Sequence, residues 1–169
     1  VIRAFRDHVP LVDATAYVDV SAQVIGDVVI GAESSVWMNV VIRGDINAIR
    51  IGRRTNVQDL TVVHVMRGIH PATIGDEVTI GHSAVVHGAT IEDRVLVGMA
   101  AVLLNGVHVG HDSIVAAGTL LTEGTRIPPR SLVMGRPGTV KRELTDDEVA
   151  GILGFANGYV GYRLEYMTT

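Results

Sequence analysis

Residues 91–133 read IEDRVLVGMAAVLLNGVHVGHDSIVAAGTLLTEGTRIPPRSLV. Every sixth position is aliphatic: Ile91, Val97, Leu103, Val109, Val115, Leu121, Ile127 and Val133. The same step extends towards the N-terminus, with a change of phase between blocks. It runs through Ile74, Ile80 and Val86, through Ile51, Val57 and Val63, and through Val12, Val18, Val24, Ile30, Val36 and Ile42. Four residues after these 20 starts, 17 positions hold Ala, Val, Ser or Thr, so a small residue closes nearly every step. Gly follows the start directly at Gly31, Gly52, Gly75, Gly81, Gly98 and Gly110. A six-residue aliphatic period is the signature of a parallel β-helix.

Each step makes one short strand and a turn, with its aliphatic start inward and its small residue at the corner. A single step cannot bury its apolar side alone, so steps must stack. Stacked coils lie about 4.8 Å apart, as neighbouring strands do. The pattern resembles that of hexapeptide-repeat proteins. The resemblance implies three strands per coil and a left-handed sense, an exception to the usual right-handed crossover. The expected fold is an all-β solenoid, a left-handed parallel β-helix over residues 12–138. A short lead-in precedes it and a C-terminal α-helix over 145–168 follows, in a single domain 1–169.

Composition agrees. Aromatic residues are only 4% of the chain, so β-branched side chains must fill the interior. Mean hydropathy is +0.33, yet no apolar run reaches the roughly 18 residues of a membrane span. The apolar excess is expected between subunits. Trp37, Met38, Val40, Leu60, Val62 and Met66 fall at non-interior positions and favour an oligomer. The net charge of -4, with no Lys/Arg run, argues against nucleic acid as a partner. With no cysteine, neither a disulfide nor a thiolate metal ligand is available. Residues 1–10 are charged and lack the apolar stretch of a secretory signal, so cytoplasm is the expected compartment.

Thr145-Asp146-Asp147-Glu148 has the form of a capping box. Val149, Ile152, Leu153, Ala156, Val160, Leu164 and Met167 follow at helical spacing and predict an apolar stripe. Gly151, Gly154, Gly158 and Gly161 weaken the helix intrinsically. Packing must hold it, and close backbone approach is one way to do so.

Numbering the strands 1, 2, 3 around each coil assigns faces. Face 3 holds Val24, Ile42, Val63, Val86, Leu103 and Leu121; face 2 holds Val18, Val36, Val57, Ile80, Val97, Val115 and Val133. All three breaks in the period, near residues 48–50, 69–73 and 87–90, fall at the corner after face 3. Loops at one corner suggest a functional surface nearby.

His64 and His87 each follow the aliphatic start of a face 3 strand in successive coils. Both point outward, because strand residues alternate. Two imidazoles so placed can converge on one ion. His82 is the third residue of a face 2 strand, around the corner. A trimer in which one subunit's face 2 meets the next subunit's face 3 would unite all three. Arg43 sits one coil from His64, with Asp45 two residues on. Asp59 lies in the column under His82, where it can accept that histidine's second N–H. Gln58 is placed to hydrogen-bond a metal-bound water. His8, His70, His108 and His111 fall outside the cluster and are expected in solvent.

Val41-Ile42-Arg43-Gly44-Asp45, Asn56-Val57-Gln58-Asp59, His64, Ile80-Gly81-His82 and Val86-His87-Gly88 together resemble the γ-class carbonic anhydrase family. Met134-Gly135-Arg136-Pro137-Gly138 and the C-terminal helix resemble its short-loop bacterial members. The resemblance implies a homotrimer with a metal at each interface, held by His64, His82 and His87. It makes Arg43 and Asp45 an intersubunit ion pair, Gln58 a neighbour of metal-bound solvent and Asp59 an acid supporting a ligand. Asn157 and Tyr159 match polar residues of the C-terminal helix near the site. The implied activity is reversible hydration of CO2 to bicarbonate by a metal-bound hydroxide. Zn2+ is the expected ion, and Fe2+ or Co2+ would also accept imidazole.

One departure stands out. The family's proton-transfer Glu after the Asp is Ile46 here, and the loop 65–73 carries no acid. The metal ligands are intact, but fast proton transfer is not provided for. The alternatives from other classes are a hexapeptide-repeat acyltransferase or metal-dependent thioesterase acting on acyl-CoA, and a non-catalytic metal-binding assembly subunit.

Overall fold

A computed structural model describes residues 1–168; residue 169, the last of the expected domain, lies outside the described residues. The six-residue step appears as three parallel columns. On face 2, Val18, Val36, Val57, Ile80, Val97, Val115 and Val133 are successive register partners. On face 3 the partners are Val24, Ile42, Val63, Val86, Leu103 and Leu121. Face 1 stacks Val12, Ile30, Ile51, Ile74, Ile91, Val109 and Ile127. All of these starts are buried except Val12 and Val18, which belong to the first coil and have no coil beneath them.

Faces 3 and 1 merge into one 12-stranded sheet, while face 2 forms an 8-stranded sheet. The merger has a local cause. Strands Gln23–Ile30 and Val41–Ile51 run straight through the corner that the sequence marks as irregular. Gly26 and Gly44 are register partners there. A Cβ on Gly26 would lie 2.4 Å from the Gly44 carbonyl oxygen, so the two backbones stack only without side chains. The lead-in segment also contributes a strand, Ile2–Arg3, which pairs in parallel with Val24 and Ile25. At the far end Ser131–Gly135 reverses into Gly138–Glu143, an antiparallel strand the period does not foretell.

The corners differ from the sequence reading in one respect. The small fifth residue fits inside, but the left-handed turn is made one position earlier. Glu33, Arg54, Glu77, Arg94, Asp112 and Arg130 all have positive φ, from 53° to 58°. Such a residue costs roughly 1–2 kcal/mol when it is not Gly. The corner N–H groups recover part of this by donating to the coil below, as Arg54 does to Ala32 and Arg94 to Asp76, at 2.8 and 2.9 Å.

These six residues stack along the edge between faces 1 and 2 with alternating charge. Arg54 pairs with Glu33 at 3.0 Å and with Glu77 at 3.4 Å, and Arg94 pairs with Asp112 at 2.6 Å. Exposed pairs contribute little singly, at most about 1 kcal/mol. Here they also seat the C-terminal helix, Asp146–Met167, which runs down this edge. Arg130 bonds Asp146 at its start, Arg54 bonds Asn157 at 2.6 Å, and Arg163 reaches the Thr15 carbonyl and Glu33.

The helix corrects the predicted stripe. Ile152 and Ala156 are buried, but Leu164 and Met167 are exposed and Arg163 is buried in their stead. The last turn is therefore oriented by the Arg163 contacts. Within the chain, a Cβ on Gly151, Gly154, Gly158 or Gly161 would meet no atom within 4 Å, so close approach does not explain these glycines. Trp37 lies outside the prism yet is buried under the helix, edge-on to Tyr159 and Tyr166. Val40 is likewise fully buried, so these two leave the set of expected subunit contacts.

The capping box is complete, with Glu148 N–H donating to Thr145 and the Glu148 carboxylate accepting from the Thr145 N–H. Arg142 clamps the same carboxylate with two bonds of 2.7 Å. Arg142 first, and then Thr145, push the Glu148 carboxyl from 4.5 down to about 2. A depressed acid stabilises the fold above its ordinary value and loses that contribution as pH falls towards the folded value. The thermal-stability difference between wild type and Glu148→Gln should therefore be constant from neutral pH to about pH 5. It should vanish between about 4.5 and 2. A difference already lost by pH 5 would contradict the cap's role.

Candidate metal centre

His64 and His87 are register partners on face 3, one coil apart. The starts before them, Val63 and Val86, are completely buried, so both imidazoles face outward. Nδ1 of His64 lies 3.1 Å from Nε2 of His87, and the ring centroids are 5.0 Å apart. Two ring nitrogens thus already converge without help from another element.

Around them the strand alternation places polar partners. Nε2 of His64 is 3.0 Å from Oδ1 of Asp45, whose Oδ2 accepts from Arg43 at 2.5 Å. Within the chain, Arg43 thus clamps Asp45 against His64. Nδ1 of His87 meets Oδ1 of Asn105 at 2.8 Å. The sequence reading missed Asn105 because it lies in the turn two residues after Leu103, while the histidine column continues into Leu104.

His82 stands on face 2, with Nδ1 2.8 Å from Oδ2 of Asp59, the partner the columns predict. Gln58 is buried and donates from Nε2 to Asn56 at 3.0 Å. Gln58, His82, Met99, Phe155 and Tyr159 line part of a mostly apolar cavity of about 540 Å³ between face 2 and the helix. Tyr159 is thus beside His82. Asn157 is directed elsewhere, onto Arg54 at the ion-paired edge. Ile46 packs against the core, and Asn47 closes the 65–73 loop by donating to the Met66 carbonyl at 2.9 Å.

Burial holds His64 below the ordinary histidine value of 6.5; the Asp45 bond opposes this, and the charges of Arg43 and His87 add to it. Asp45 is held low in spite of its burial by bonds from His64 and Arg43. Burial raises the Tyr159 phenol, and the charge of Asp59 adds to it. Among the described residues, no three His, Cys, Asp or Glu side chains of one chain gather to hold a metal ion. The two faces keep His82 apart from His64 and His87.

The outlying histidines are less solvated than expected. His108 bonds Glu92 at 2.8 Å and His111 bonds Asp112 at 2.7 Å; both sit on face 1 and its edge, away from the cluster. His8 is exposed, and His70 closes a bridge to Met66. Among the described residues no helix is long and apolar enough to cross a membrane.

Known proteins resemble this chain over most of its length. The "Hexapeptide repeat of succinyl-transferase" family matches residues 71–104 and 88–123. "Gamma carbonic anhydrase 1, mitochondrial" of Arabidopsis thaliana is 49% identical over 158 residues, covering 90% of this chain and 58% of that protein. The chain thus spans little more than half of that relative. The "Probable carbonic anhydrase" of Methanocaldococcus jannaschii is 49% identical over 139 residues, covering 82% of this chain and 87% of that protein. A solved hexapeptide transferase family protein from Anaplasma phagocytophilum superimposes with a TM-score of 0.94 at 36% identity, covering 98% of each chain.

The pairing of His64 with Asp45 has a measurable consequence. Asp45 supplies the contributions that raise His64, so Asp45→Asn should lower the His64 titration midpoint further below 6.5 in metal-free protein. Histidine NMR titration reads this directly. An unchanged midpoint would mean that the Asp45 contact is absent in solution.

Proposed function

The chain belongs to the γ-class carbonic anhydrase family, and we propose that it interconverts CO2 and bicarbonate at metal sites shared between the subunits of a homotrimer. The observation that carries the reading is the placement of three histidines. Two converge on face 3 with ring nitrogens 3.1 Å apart, and the third is held by Asp59 on face 2. A subunit contact of face 2 with face 3 would bring them together. Three imidazoles with no thiolate or clustered carboxylate suit a borderline cation that keeps an open position, Zn2+ first and Fe2+ or Co2+ next.

Such an ion would supply Lewis acidity, making a water acidic enough to act near neutral pH. The chain's own residues do the rest. Asp59 accepts from Nδ1 of His82 and leaves its Nε2 free to ligate. Asp45, clamped by Arg43, sits 3.0 Å from His64, fixing that ring and holding a negative charge where a proton must leave. Gln58 is anchored by Asn56 at the rim of the cavity, where its amide can orient solvent or a CO2 oxygen. The apolar wall of Met99, Phe155 and Tyr159 suits an uncharged substrate. With Ile46 in place of an acid, proton export is the step expected to limit the rate.

A second reading rests on the cavity itself. About 540 Å³ is far more than CO2 fills, and an acyl thioester cleaved by the same metal site would use it. An acyltransferase needs an unliganded imidazole base, and a set of three histidines committed to one ion argues against it.

Subunit mixing tests the shared site. Neither His82→Ala nor His64→Ala chains should retain metal alone. Mixed trimers should recover some metal, and CO2 hydration in stopped flow, wherever an intact face 2 meets an intact face 3. No recovery would overturn the shared site. Recovered metal with thioester cleavage and no CO2 hydration would favour the second reading, and metal with neither activity a binding subunit.

A further inference from the structure

Asn105 and Glu123 occupy the same position in the turns after successive strands of face 3, since Leu103 and Leu121 are register partners. Asn105 lies between Glu123 and His87. Its Oδ1 is 2.8 Å from Nδ1 of His87, and its Nδ2 donates to Oε1 of Glu123 at 3.1 Å. Its backbone is pinned as well, because the Asn105 carbonyl accepts from Gly124 at 2.9 Å. Room for the amide comes from Gly88, where a Cβ would stand 2.6 Å from Asn105 Oδ1.

Donor and acceptor roles propagate along this chain. A carboxylate only accepts, so Glu123 draws the NH2 end of the Asn105 amide. The amide oxygen then faces His87. An oxygen also only accepts, so the proton of neutral His87 must reside on Nδ1. That leaves Nε2 bare and turned towards Nδ1 of His64. Asp45 leaves that Nδ1 bare in the same way, by holding the His64 proton on Nε2, so the two nitrogens face each other as a cation would need them. The opposite amide orientation would place NH2 against Nδ1, move the ring proton to Nε2 and block it.

We propose that Glu123, acting through Asn105, is a positioning residue that fixes the Nδ1–H tautomer of His87 and so keeps its Nε2 free to bind a metal ion. The inference rests on the metal-centre reading, and its test separates the two. Two-bond 1H–15N NMR of metal-free protein, at a pH above the histidine range, reads the His87 tautomer. Competition with a chromophoric chelator reads Zn2+ affinity. Wild type should show the Nδ1–H form. Glu123→Lys presents a donor in place of an acceptor; it should flip the amide, convert His87 to the Nε2–H form and weaken Zn2+ about 10–100-fold. Glu123→Gln, whose carbonyl can still accept, should restore both. A Glu123→Lys protein that keeps the Nδ1–H form overturns the proposal. A swapped tautomer with unchanged Zn2+ affinity overturns it too. Failure of wild type to bind Zn2+ would sink the metal centre itself, while the tautomer of His87 would still report on Glu123.

Discussion

The in-register stacking of six-residue steps is the constraint on which everything else depends. Each aliphatic start is buried only if the coils above and below present theirs in the same column. This condition locks register as firmly as the core locks stability, because a slip of one residue would turn every start outward. It brings His64 and His87, 23 residues apart in sequence, to neighbouring positions. The same rule sets Asp59 beneath His82 and Arg43 before His64. The placement of the three histidines is therefore a by-product of the core's periodicity, with His64 and His87 on strands and His82 in the turn that follows Ile80.

A second ordering device works at the edge. Six corner residues of alternating charge form a ladder that the helix reads at Arg130, Arg54 and Glu33. Seating the helix there brings Tyr159 beside Gln58 and His82 and roofs one side of the cavity. The ladder costs left-handed backbone at each step, which the inter-coil hydrogen bonds offset in part. Arg163, buried against Thr15 and Glu33, anchors the far end of the helix.

The columns were legible because the period is local, and it assigned each interior start to its face without knowledge of the rest. The Asp59–His82 contact and the capping box followed from the same local rules. Other features depend on information that is not periodic. Positive φ at Arg54 or Arg94 leaves no glycine to mark the corner. The passage of two strands through the third corner depends on the pairing of Gly26 with Gly44, visible only once register is known. Asn105 escaped because its contact with His87 is diagonal to the column. Leu164 looked like a core residue because helical spacing cannot foresee that Arg163 will turn the last helical turn. Trp37 read as a subunit contact because nothing in the period announces that a helix covers it, whereas Val40 is the small fifth residue of the Val36 step and packs in the core.

The central claim is that one site is assembled from two faces belonging to two chains. Anomalous-scattering maps from crystals grown with Zn2+ would test it most directly. The account predicts one peak per chain, bounded by Nε2 of His87 and by His64 of one subunit and by His82 of its neighbour. A peak held by His64 and His87 alone, or with Asp45 of the same chain completing the ligand set while His82 stays on Asp59 at a distance, would contradict it.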